Sequence, residues 1–165
     1  MTVEQILKEI DSILLDAKAE CIKALQPVFL IKPKPDQVYS CFELFHMQNY
    51  ALGYNSFFLR NGELEVDYAC LPPFTGEESF LPKLASYFQD LFKKVELNEK
   101  DGIRFTAEHE KQFLKWFKEV WLAAGGDKSL VPTYFCFERE YQVQDIISGE
   151  VMSEEDGARR LGYKI

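Results

Sequence analysis

FFLRNGELEVD, residues 57–67, holds the strongest local structural signal in the chain. Two runs rich in aromatic and β-branched residues flank Asn61-Gly62, and a two-residue type I′ turn needs a positive φ at both central positions, which Asn and Gly tolerate best. The stretch therefore reads as an antiparallel β-hairpin. A two-residue turn also sets the register: Arg60 faces Glu63, Leu59 faces Leu64, Phe58 faces Glu65, Phe57 faces Val66 and Ser56 faces Asp67. Side chains alternate along a strand, so Phe57, Leu59, Leu64, Val66 and Tyr68 share the inward side, while Glu63, Glu65 and Asp67 leave together on the other.

Three carboxylates in a row ask for an explanation. Arg60 can neutralise Glu63 across the turn, but the register sets no cation opposite Glu65 or Asp67, which lie beside Phe58 and Ser56. These two acids are expected to be uncompensated on the outward face. The same spacing would also suit paired carboxylates of a glycosidase or a cation site, and a plain solvated face remains the third reading.

Working outward, VYSCFELFH (38–46) and YALGYNSFFLR (50–60) read as the strands before the turn, and ELEVDYACL (63–71) as the one after it. Upstream, Ile6, Ile10, Ile13, Leu14, Ala17, Cys21 and Leu25 recur at spacings of three and four, the stripe of an amphipathic helix ended by Pro27. KPKPD (32–36) is an extended connector. Downstream, a helix is expected to start near 77–80 with the stripe Phe80, Leu84, Phe88, Leu91, Phe92 and Val95. A second follows with Thr106 as N-cap, the stripe Phe113, Trp116, Phe117, Val120 and Trp121, and Gly125-Gly126 as its stop. LVPTYFCFE (130–138) is apolar at nearly every position, which fits a strand covered on both sides. A last short helix is capped by Ser153 and weakened by Gly157. The order α-β-β-β-α-α-β-α predicts an α+β fold, a mostly antiparallel sheet with helices packed on one face. Residues 1–165 are read as a single globular domain.

Composition narrows the function. A net charge of −8 leaves no basic stripe to displace counterions from phosphate, so a nucleic-acid partner is not expected. The acid is concentrated: residues 38–80 carry a local charge of −5 and residues 93–128 one of +1. No apolar run is long enough to span a bilayer and the N-terminus is acidic and amphipathic, so a cytoplasmic protein without membrane contact is expected. Cys21, Cys41, Cys70 and Cys136 lie far apart in apolar segments without CxxC pairing, as buried free thiols would. The patterns GxxxxGK[ST], GxGxxG and GxSxG are absent. No cofactor and no metal is implied. Cys41 and His46 would point to opposite faces of one strand, and His109 falls among glutamates, where an exposed position is expected. Glu138, Glu140, Asp145 and Glu154-Glu155-Asp156 read as a solvated face.

Fourteen Phe, eight Tyr and two Trp exceed what one core should hold. Tyr39, Tyr50, Tyr54, Phe58 and Phe74 are candidates for the surface, where rings beside acids would anchor a cationic protein that the carboxylates steer. Glu63, Glu65, Asp67 and Phe58 are thus the candidate partner-binding residues.

An acidic α+β chain without enzyme motifs, bearing FFLRNGELEV at Phe57–Val66, resembles the small bacterial immunity proteins that neutralise polymorphic toxins. They include the SUKH-type group, whose members often show an FL…NGG-like stretch; here Glu63 stands at the second Gly. That resemblance implies a non-catalytic protein that binds a toxin domain, often a basic nuclease, and blocks its active site. The leading expectation is a protein-binding module for a basic partner. A small-molecule-binding or hydrolytic enzyme using a Cys/His or carboxylate cleft is the alternative, and a homodimeric structural subunit the second.

Overall fold

The computed structural model describes residues 1–45, 51–67, 82–94, 97–138 and 142–165. Asn61 and Gly62 take φ of 53° and 84°, as a type I′ turn requires. Strand β2 (Ala51–Arg60) pairs antiparallel with β3 (Glu63–Asp67) in the register read from the turn, from Arg60↔Glu63 to Ser56↔Asp67. Strand β1 (Gln37–Phe45) pairs antiparallel with β2 and parallel with β4 (Thr133–Phe137), which the chain reaches only after two helices. Two short strands, β5 (Gln142–Asp145) and β6 (Val151–Ser153), extend the sheet beyond the sequence expectation. The order is β3-β2-β1-β4-β5-β6. The fold is α+β with a mostly antiparallel sheet, as expected.

Helix α1 (Val3–Leu25) carries the expected stripe and starts in a capping box between Thr2 and Gln5. Helix α2 covers Pro82–Lys94; its expected start at 77–80 lies outside the described residues. Helix α3 runs from Glu99 to Ala124 and differs from expectation at its start. The cap is Asn98, whose side chain accepts from the Asp101 amide at 2.9 Å, while Thr106 sits inside the helix and donates to the Gly102 carbonyl. The acids Glu99 and Asp101 then fall in the first turn, where the helix dipole favours them. Gly125, at φ 98°, ends α3 as expected.

These three long helices cover one face of the sheet. Phe42, Leu44, Leu52, Tyr54, Phe135 and Phe137 meet Ile6, Ile10 and Leu14 of α1, Leu84 and Phe88 of α2, and Phe113, Phe117 and Trp121 of α3. The short helix α4 (Glu154–Arg160), capped by Ser153, closes a smaller core on the other face. There Ala158 packs with Tyr39, Cys41, Phe57, Tyr134, Cys136 and Val143, and Leu59, Leu64 and Val66 border them, the inward side read from the hairpin.

Two cores explain where the rings go. Tyr39, Tyr54 and Phe58, expected as surface candidates, are all buried: Tyr54 joins the large core, and Tyr39 stacks on Phe57 at 4.4 Å in the small one. Tyr50, Phe74 and Tyr68 lie outside the described residues.

Candidate partner-binding face

The acidic row sits on β3, the strand at one end of the sheet order. Glu63 and Glu65 are exposed and Asp67 is partly so. Their counter-ions differ from the sequence expectation. Arg60 passes over its direct partner Glu63 and donates from Nη1 to Glu65 Oε2 at 3.0 Å. The cause is Phe58, two residues back on the same face: the Arg60 guanidinium lies 5.0 Å from its ring centroid, and Glu65 is the residue opposite that ring. Cation–π attraction draws Arg60 along the strand to the diagonal acid.

Asp67 is met by Lys34, whose Nζ stands 3.6 Å from Oδ2 and 5.7 Å from the Phe58 centroid. The expectation that Glu65 and Asp67 lack cations is therefore overturned. Lys34 comes from the KPKPD connector, which is laid along β2 by the Leu59 amide donating to the Asp36 carbonyl at 3.0 Å. Asp36 takes a positive φ of 61° to make that approach. Phe58 is only 4% exposed, sandwiched beneath Lys34 and Arg60 instead of presenting a bare ring. Both ion pairs are open to water, with side-chain exposures of 54% and 49% for Arg60 and Glu65 and 57% and 45% for Lys34 and Asp67. Such pairs contribute at most about 1 kcal/mol each. An incoming cation can exchange for Arg60 or Lys34 at little cost.

The other candidates separate cleanly. Cys41 is fully buried and burial drives its thiol well above its ordinary value; Cys21 is pushed up to about 12. Neither is a poised nucleophile. Cys136 is buried as well, whereas His46 and Cys70 lie outside the described residues. His109, expected to be exposed, is 2% exposed. Because α3 begins at Glu99, His109 falls on the buried stripe between Phe105 and Phe113, stacked on Phe105 at 5.6 Å and tilted against Phe88 at 5.2 Å. Among the described residues, no group of His, Cys, Asp and Glu is placed to hold a metal ion, and no helix is long and apolar enough to cross a membrane.

The C-terminal acids are not uniformly solvated either. Glu138 is buried, and Glu43 and Glu154 are half-buried beside it on the α4 side of the sheet. Burial raises the Glu43 carboxyl, opposed by a 2.7 Å hydrogen bond from Asn55 and reinforced by Glu138. Burial also raises Glu154, with Glu155 and Glu43 adding repulsion. Asp145 goes the other way: burial would raise it, but the amides of Ser148 and Ile147 and the nearby Arg160 hold it below its ordinary value. Glu140 lies outside the described residues. The sequence signal for Glu43 was its place among the apolar residues of β1, a carboxylate on the face of Tyr39 and Cys41.

Fold and face together define a small α+β domain with an acidic strand at one end of its sheet. No family model, curated protein or solved structure matches the chain.

Proposed function

We propose that this chain is a non-catalytic protein-binding module that docks a basic protein through β3 and the adjacent part of β2. One observation carries the reading: Glu63, Glu65 and Asp67 stand in line on one face of the strand at the end of the sheet order, and the ion pairs that Arg60 makes with Glu65 and Lys34 with Asp67 are exposed to water. A basic partner would replace Arg60 and Lys34 at these carboxylates. Such a surface contributes more to the rate of encounter than to final affinity, because its field acts at a distance and is screened by salt. Phe58, stiffened between two cations, keeps the row in place. An immunity-type inhibitor of a basic toxin domain is the particular form of this reading that the hairpin resemblance suggests.

The test is kinetic. Against a captured basic partner, Glu65→Lys/Asp67→Lys should slow association and flatten its salt dependence while leaving dissociation nearly unchanged. Association at the wild-type rate at low salt would refute the docking face.

A further inference from the structure

Helices α1 and α3 run side by side in the same direction. Their contacts step from Glu4–Arg104 through Leu7–Gln112 and Leu14–Trp116 to Lys18–Glu119. Between them lies an open groove of about 690 Å³ with Leu7, Leu14 and Trp116 along it. Leu15 stands at its side 69% exposed, although its neighbour Leu14 is buried. The charged residues of the groove are balanced: Asp11, Glu108 and Glu119 against Lys18, Lys111 and Lys115. A strongly basic or strongly acidic foreign helix would meet as many like charges as opposite ones there.

We propose that this groove receives α1 of a second copy of the chain, the two α1 helices lying antiparallel about a two-fold axis between Leu14 and Leu15. Asp11 and Lys18 lie equally far on either side of that axis. In the antiparallel pair Asp11 therefore faces Lys18 of the partner subunit, whose ammonium, paired with Glu119 in its own chain at 2.8 Å, is shared between the two carboxylates, and the symmetry makes the contact twice. Leu15, otherwise left in water, meets the apolar centre of the groove. The register is selected by charge: an axis at Asp11 would set that residue against its own copy, and an axis at Lys18 would do the same with two ammonium groups. Helix α1 has 23 residues, so the two copies would lie alongside one another over about 34 Å. The surface is separate from β3, so this dimer stands or falls independently of the docking face.

Sedimentation of the full chain over its accessible concentration range tests the proposal, with circular dichroism confirming that each variant is folded. The wild type should associate to a dimer. Leu15→Glu should abolish it, and Asp11→Lys or Lys18→Asp alone should each weaken it about tenfold, since either substitution creates two like-charge pairs. Mixing these last two variants should restore a heterodimer. A wild type that is monomeric at every concentration, or an association indifferent to these substitutions, would overturn the proposal. Failure of the mixture to associate would overturn the register.

Discussion

Gly157 sits in the middle of α4, where glycine ordinarily weakens a helix, so Gly157→Ala should by propensity stabilise the chain by about 1 kcal/mol. Its surroundings reverse the sign. A Cβ there would stand 3.1 Å from Val143 Cγ2 and 3.3 Å from Tyr134 Cε2, inside normal carbon–carbon contact. Neither neighbour is free to give way: Val143 is 1% exposed, and Tyr134 donates its hydroxyl to the Gly157 carbonyl at 3.1 Å while packing edge-on against Tyr39. Helix α4 must lift instead, loosening Ala158 from the small core. Overpacking of this kind costs about 1–3 kcal/mol, so the net expectation is a loss of about 1 kcal/mol. In a chain of this size that is a fall in Tm of about 2–4 °C. Gly102→Ala in α3 is the matched control: nothing lies within 4 Å of its Cβ, so it should stabilise by the propensity term alone. Urea unfolding followed by circular dichroism reads both. If Gly157→Ala gained as much as Gly102→Ala, α4 would not be seated on β4 and β5 as described, and the small core would need to be redrawn.

Gly62→Ala, at φ 84° with nothing near its Cβ, should cost about 1–2 kcal/mol through backbone conformation alone, measured by the same unfolding curves; an unchanged midpoint would argue against the type I′ turn. Glu43→Gln should stabilise the protein at neutral pH. The Glu43 carboxyl is raised in the folded state from an ordinary value of 4.5, so its burden is present above the raised value and is relieved as pH falls toward 4.5. The variant should therefore gain less than wild type over that window in pH-dependent melts, and a parallel pair of curves would count against the burial of this group. Cys21, Cys41 and Cys136 should resist alkylation at neutral pH in the native protein and label rapidly in urea, resolved peptide by peptide by mass spectrometry; prompt native labelling of Cys21 would contradict a thiol raised to about 12.

The hairpin was legible because Asn61-Gly62 dictates both turn and register within a few residues, and the amphipathic stripes of α1 and α3 were legible because their period is local. What lay beyond the sequence depended on distant contacts or on short elements. Lys34 reaches Asp67 only because the connector is tied to β2, more than twenty residues away in sequence. Strands β5 and β6 have four and three residues, too few to show a period. The cap of α3 was misplaced because both Asn98 and Thr106 are good N-caps and Gly102 between them resembles a break. His109 was therefore read as part of an exposed first turn among glutamates, although it lies four residues before Phe113 on the buried stripe. The expected surplus of surface rings assumed one core where the sheet has two.

We propose that the β3 carboxylates await a basic protein. Affinity capture from native lysate, comparing the wild type with a Glu63→Lys/Glu65→Lys/Asp67→Lys variant at low and high salt, addresses it most directly. A basic protein should be held by the wild type at low salt, released at high salt and absent from the variant. Identical captures by the two, or the same basic protein retained by the charge-reversed chain, would contradict it and leave the acidic row a solvated edge.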